Sequence, residues 1–322
     1  MVEVVRRERK GPILSPSSIP CLCRLPTINV TQGCSLGCAY CYIQSYRDYP
    51  GSQQVVLFTN TAVLVADELK RKRKRPQRVY FSPSSDVFQY LPEVQQVTHE
   101  TMQVLLDAGV EVAFLTKGFI TRQFLDLFEK YANLVYAQIG LTSLSREIWR
   151  TFEPRTAPPL HRIASMKSLV SIDCHVTARL DPLIPDVTDA SPGVDALLEA
   201  IASSGVTFAA ASYLFLRPAF RKAVVAALKT LCFDLQPATW TYQEFADGCS
   251  GGQSISEQER RERFVKLGDI GHRYGLTISP CQCKNPGLAD GSCHIAGPSP
   301  YHIAGPPKHH DSISTQPDLP FA

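Results

Sequence analysis

The sequence predicts an α/β fold built on a parallel sheet with crossover helices, and two observations predict it. From residue 27 to about 218, short β-rich apolar runs alternate with amphipathic helical runs, as a series of βα units requires. The chain is 322 residues long and 44% hydrophobic, enough to bury a full core.

Six runs read as strands: Thr27–Val30, Arg78–Phe81, Val110–Thr116, Leu134–Leu141, His175–Leu180 and Val206–Phe215. Helical runs lie between them near 62–73, 92–108, 122–131, 160–170 and 195–204, the second ending at Gly109 as a helix C-cap does. The set predicts a partial (β/α)6 TIM-like barrel with a C-terminal helical extension and a Cys-rich segment. The expected organisation is a lead segment over 1–26, the barrel over 27–218, an extension over 219–297 and a disordered tail over 298–322. The extension carries the helical stretch "AFRKAVVAALKTLCF", a charged helix from about Glu257 to Tyr274 and a further strand, "LTIS". The tail repeats "HIAGP" and is rich in Pro, Gly and His.

A net charge of +3 is too mild to imply a nucleic-acid or membrane partner. The first twenty residues lack the apolar centre of a signal peptide, and no run reaches membrane-spanning length, so a cytoplasmic protein with no membrane partner is expected. In a reducing compartment the eleven cysteines read as metal ligands or catalytic thiols rather than a disulfide framework. Eight fall in three clusters: Cys21/Cys23, Cys34/Cys38/Cys41 and Cys281/Cys283/Cys293. Cys174, Cys232 and Cys249 stand alone and read as small buried hydrophobes.

The densest cluster is "GCSLGCAYCYIQSY", with Cys-x3-Cys-x2-Cys spacing on the loop that leaves the first strand. In a barrel of this polarity that loop opens on the strands' carboxyl ends, where active sites assemble. A structural zinc site needs a fourth nearby ligand, and the loop has none. A [4Fe–4S] cube held by three thiolates leaves one iron open.

Here the sequence resembles the radical S-adenosylmethionine (SAM) superfamily, whose signature is this triplet with an aromatic residue before the last cysteine, matched by Tyr40. The resemblance implies that Cys34, Cys38 and Cys41 hold three irons while SAM chelates the fourth. One electron then cleaves a carbon–sulfur bond of SAM, and the 5′-deoxyadenosyl radical takes hydrogen from a substrate. It also implies a reductant such as flavodoxin or ferredoxin. The runs "YFSPSSDVFQ", "FLTKG", "RLDPLIP" and "CQCKNPGLADGSCHI" resemble the branch related to spore photoproduct lyase, a lyase acting on DNA, so nucleic acid leads as the substrate class, with peptides and small molecules open. That family keeps a hydrogen-donating cysteine after strand two; this chain has "SPSSD" there.

Carried over by position, Ser84, Ser85 and Asp86 are expected to meet the SAM amino group and Lys117 its carboxylate. Gln138, Thr142, Arg179 and Asp181 are expected to face the barrel mouth, either as SAM or substrate contacts or, for Arg179 and Asp181, as a rim ion pair. Cys281, Cys283 and Cys293 suggest a second metal site, an auxiliary iron–sulfur cluster or zinc, with Cys21, Cys23, Cys249 or His294 as a fourth ligand; free thiols are the alternative. The basic run "KRKRKRPQR" is read first as a solvated helix end and second as a phosphate-contacting patch. An iron–sulfur or zinc protein serving electron transfer or nucleic-acid binding, without SAM turnover, is the alternative function.

Overall fold

The computed structural model describes residues 2–17, 20–23, 25–233, 240–243, 251–285 and 287–288. Its strands are β1 (Glu3–Arg7), β2 (Ser15–Pro16), β3 (Pro26–Ile28), β4 (Thr31–Gln32), β5 (Gln54–Phe58), β6 (Arg78–Phe81), β7 (Glu111–Thr116), β8 (Val135–Gly140), β9 (His175–Leu183), β10 (Phe208–Tyr213), β11 (Thr241–Gln243), β12 (Gly252–Ser254) and β13 (Thr277–Pro280). The helices are α1 (Thr61–Arg71), α2 (Pro92–Asp107), α3 (Arg122–Lys130), α4 (Arg146–Phe152), α5 (Pro159–Ser171), α6 (Gly193–Ser203), α7 (Pro218–Thr230) and α8 (Glu257–Arg273).

The main sheet runs β13-β10-β9-β8-β7-β6-β3-β2, parallel throughout except for the β2–β3 pair. It is the curved sheet of a partial TIM-like barrel, and all six predicted strands lie in it. The "LTIS" run joins it as β13 on the edge of β10, so the sheet has seven parallel strands.

Helix ends follow local chemistry. Pro92 opens α2, where its missing N–H costs nothing, and Gly109 closes it at φ +72°. Between them Val94, Val97, Thr98, Thr101, Met102, Leu105 and Leu106 form one buried stripe. In α8 the Ser256 hydroxyl accepts from Glu259 N at 3.1 Å as an N-cap.

Strand alternation gives the sheet two different faces. The outer residues Phe81, Val112, Phe114, Ile139, Ala178 and Leu180 pack under the helices, and Phe88, Phe114, Phe124 and Phe128 stack there with centroids 4.8–6.5 Å apart. Truncating one such ring to Ala costs about 3–5 kcal/mol. The inner face carries Tyr80, Ala113, Leu115 and Tyr136, and Leu22 and Leu25 from the lead segment pack onto it. The lead segment thus supplies part of the barrel interior. It also supplies β1, which pairs with β5 in a three-stranded sheet, β1-β5-β4, that the sequence reading lacks.

Among the described residues no two cysteines form a disulfide; Cys174 is buried as expected, whereas Cys232 is exposed at φ +57°. Cys249, Cys293, His294, the "HIAGP" repeats and the 298–322 tail lie outside the described residues. Among the described residues, no helix is long and apolar enough to cross a membrane.

Candidate metal centre at the barrel mouth

Gly33 to Cys41 follows β4 and crosses the carboxyl ends of the parallel strands. Gly37 shapes it: its φ of +64° is disfavoured for residues with a Cβ, and a Cβ there would lie 2.4 Å from Arg155 Nη2. Gln89, fully buried, fastens the loop, its Oε1 accepting from Ser35 N at 2.6 Å and its Nε2 donating to Thr31 Oγ1 at 3.0 Å. On the other side Ala39 N donates to Phe152 O at 2.8 Å.

Cys38 is buried, and Cys34 and Cys41 are half-buried. Burial pushes all three thiols up; Asp86 and then Cys41 add to this for Cys34, and Glu153 for Cys38. Each senses at least one other of the trio or the carboxylates and Lys117 beside it, so the three sulfurs share one enclosed neighbourhood. Among the described residues no three His, Cys, Asp or Glu side chains converge on a single point as one metal ion would require. A cube takes one thiolate per iron, so its donors need not converge. Three enclosed thiols on one glycine-shaped loop fit a [4Fe–4S] cluster.

Tyr40 ties that loop to the barrel. Its ring stacks on Phe152 at 6.2 Å, its hydroxyl donates to Glu153, and Lys117 Nζ donates to its oxygen at 3.0 Å. Glu153, 2% exposed, also pairs with Lys117 at 3.3 Å and Arg162 at 2.5 Å. Arg162 further donates to Ala157 O at 2.8 Å and Gly140 O at 2.7 Å. Burial alone would raise the Glu153 carboxyl, but Arg162 and then Lys117 outweigh it and hold it at about 2.

The residues expected from position lie around this network. Asp86 is buried with both oxygens engaged: Oδ1 accepts from Phe88 N at 2.8 Å and Thr116 Oγ1 at 2.7 Å, and Oδ2 from Lys117 N at 2.8 Å. Ser84 N donates to Asn29 Oδ1 at 3.0 Å, and Ser85 Oγ accepts from Thr31 Oγ1 at 3.0 Å. The Lys117 ammonium, besides Tyr40 and Glu153, donates to Asp181 O at 2.8 Å. Gln138 and Thr142 are buried on and just after β8.

Arg179 and Asp181 do form an ion pair, 2.9 Å apart. Arg179 stands in register between Gly140 and Ala210, and the Lys117 stem fills the space over Gly140, where a Cβ would lie 2.7 Å from Lys117 Cγ. Its Nη2 also donates to Cys281 Sγ at 3.0 Å, while Lys284 Nζ holds Asp181 at 2.7 and 2.9 Å. Cys281 and Cys283 lie side by side, their sulfurs 3.3 Å apart, and the third member of their trio, Cys293, lies outside the described residues.

Sequence reasoning missed Gln89, Glu153, Arg162 and Lys284, which reach the site only through tertiary packing. It also missed Ser82, a buried non-glycine residue at φ +50° in the "FSPSSD" run. Ser82 Oγ and Arg179 Nη1 are buried without a hydrogen-bond partner among the described residues. Such atoms suit a bound polar ligand.

The basic run lies elsewhere. It runs from the end of α1 to the start of β6, at the amino ends of the strands, where Arg75 donates to Ala108 O at 3.1 Å and Arg78 pairs with Glu111 at 2.6 Å. The three-cysteine loop is at the opposite ends of the strands.

The comparisons agree with this geometry. Spore photoproduct lyase in a mutant form with bound AdoMet and dinucleoside spore photoproduct superposes with TM-score 0.65 at 15% identity, over 85% of this chain and 81% of that one. Streptococcus suis SuiB, bound to precursor peptide SuiA, gives TM-score 0.51 at 9% identity over 79% and 48%. An uncharacterised protein of Mycobacterium tuberculosis is 29% identical over 219 residues, 64% of either chain, so this chain spans just under two thirds of that relative. One of Methanocaldococcus jannaschii is 26% identical over 194 residues, 58% of this chain and 70% of the relative. The radical SAM superfamily profile matches residues 28–196, more than half of the chain. The chain belongs to the radical SAM superfamily.

Proposed function

We propose that this protein is an enzyme that binds a [4Fe–4S] cluster and SAM, cleaves SAM reductively and abstracts hydrogen from a substrate held in the barrel. One observation carries the reading: the loop from Gly33 to Cys41 brings three thiols, one buried and two half-buried, to the carboxyl ends of the strands and offers no fourth donor. When bound, the cluster supplies the electron that breaks the carbon–sulfur bond of SAM.

The chain's own residues hold and enclose that group. Cys34, Cys38 and Cys41 are its ligands. Tyr40, locked by Lys117 and Glu153, fixes the loop between the second and third ligands. Ser82 Oγ and Arg179 Nη1 are the buried groups open to polar atoms of SAM, and Lys117, Gln138, Thr142 and Asp181 complete that wall. Asp86 and Ser85, engaged within the protein, act by setting the loop after β6, with Ser84 beside them. Leu22 and Leu25 fill part of the interior and keep water from it.

Nucleic acid is the leading substrate class, supported by the fold shared with a protein that holds a dinucleoside photoproduct. The basic run adds nothing to that reading, because it sits at the other end of the barrel. A second cluster is not part of the proposal: of the candidate ligands, Cys249, Cys293 and His294 lie outside the described residues. A flavodoxin or ferredoxin is the fitting electron donor.

The test is formation of 5′-deoxyadenosine by anaerobically reconstituted protein given SAM and dithionite, with and without DNA oligonucleotides or peptides. Turnover is expected, and stimulation by DNA supports the substrate class. Stimulation by peptide alone would replace that class, and no deoxyadenosine under any condition would overturn the enzyme.

A further inference from the structure

The inner wall at the end of β13 carries a second chemical group that the radical SAM reading does not use. Cys281 N donates to Ala211 O at 2.8 Å, so the residue continues the strand pairing, and Cys281 is 1% exposed. The chain then turns at once. Asn285 N and Lys284 N donate to Cys281 O at 3.0 and 3.2 Å, and Asn285 Nδ2 donates to it at 3.1 Å. That turn lays Cys283, half-buried, beside Cys281 with 3.3 Å between the sulfurs.

Two cations among the described residues adjoin the pair. Arg179 Nη2 lies 3.0 Å from Cys281 Sγ, and Lys284 stands one residue beyond Cys283. Asp181 pairs with both cations through one carboxylate. A guanidinium at hydrogen-bonding distance stabilises negative charge developing on sulfur.

We propose that Cys281 and Cys283 are a redox-active dithiol that exchanges electrons with small-molecule or protein disulfides. Cys283 is the accessible thiol and attacks the external disulfide, forming a sulfur–sulfur bond to one half and releasing the other half as a thiol. Cys281, in contact behind it, attacks Cys283 Sγ and expels the second half, which takes up a proton. Two protein thiols are oxidised to one disulfide and one external disulfide is reduced to two thiols, so two electrons and two hydrogens move and nothing else is needed. Arg179 is a positioning residue that carries the charge on Cys281 during the second attack. The proposal stands apart from SAM turnover, and its readout needs none.

The test is anaerobic equilibration of the cluster-loaded full chain with mixtures of reduced and oxidised glutathione, followed by acid quench, alkylation and peptide mass spectrometry, with iron and zinc counted in parallel. The expected result is that Cys281 and Cys283 lose alkylation together and their peptide becomes two hydrogens lighter. Cys281→Ser traps glutathione on Cys283, Cys283→Ser removes both adduct and link, and Arg179→Met accumulates the glutathione adduct several-fold. Three results would overturn the proposal: both thiols remaining alkylatable across the series, pairing of Cys281 with Cys21 or Cys293 instead, or stoichiometric metal on the pair that is lost in Cys281→Ser.

Discussion

Glu153→Gln removes one charge and almost no volume from the network that locks Tyr40. The magnitude comes from two directions. Arg162 and Lys117 hold the Glu153 carboxyl at about 2 against an ordinary 4.5, and at about 1.36 kcal/mol per pH unit that gap is worth about 3 kcal/mol. Breaking a buried ion pair from one side costs about 3–5 kcal/mol, because the partner stays buried without its counter-charge. Arg162 is 1% exposed, so it cannot turn to water. Urea unfolding at pH 7, followed by circular dichroism, should therefore show a loss of about 3 kcal/mol with an unchanged m-value, a fall of roughly 5–10 °C in Tm. The pH dependence has a fixed sign. A carboxyl depressed in the folded state stabilises it above pH 4.5, and the contribution fades as pH falls from 4.5 towards 2. The gap between wild type and Glu153→Gln should narrow over that range. A variant as stable as wild type at pH 7, or a gap independent of pH, would refute the electrostatic account.

Three further outcomes follow from the same structure. Gly118→Ala should destabilise by about 1–3 kcal/mol in the same assay, since its Cβ would lie 2.1 Å from Phe88 O, a backbone atom that cannot swing away. Gly268→Ala, in α8 with nothing within 4 Å of the new methyl, should instead stabilise by up to about 1 kcal/mol. Replacing Lys70, Arg71, Arg73 and Lys74 with Gln should leave 5′-deoxyadenosine formation unchanged, because these residues lie at the amino ends of the strands; a loss of turnover would place the substrate there.

What could be read from the residues was what depends on local pattern. The six strand runs, the α2 stop at Gly109 and the three-cysteine loop all rest on spacing within a dozen residues, and each appears where the spacing puts it. β1 was illegible because "EVVRR" is short and charged and becomes a strand only against β5. Glu153 and Arg162 sit in "FEPRTAPPLHR" with no periodicity to mark them; they matter because α4 and α5 bring them beneath Tyr40, 113 residues from Glu153. Asp86 shows the limit differently. Its position after strand two was legible, but its three donors at 116, 117 and 88 come partly from the next strand, and no local pattern reports them.

The central claim is that Cys34, Cys38 and Cys41 hold a cluster with one iron left for SAM. The most direct measurement is the electron paramagnetic resonance spectrum of the dithionite-reduced, reconstituted protein before and after SAM is added, with iron counted in each sample. The account predicts about four irons on this loop, a cluster signal that changes shape when SAM binds, and loss of both in the Cys34→Ala/Cys38→Ala/Cys41→Ala variant. A signal indifferent to SAM, or iron retained in full by that variant, would contradict it.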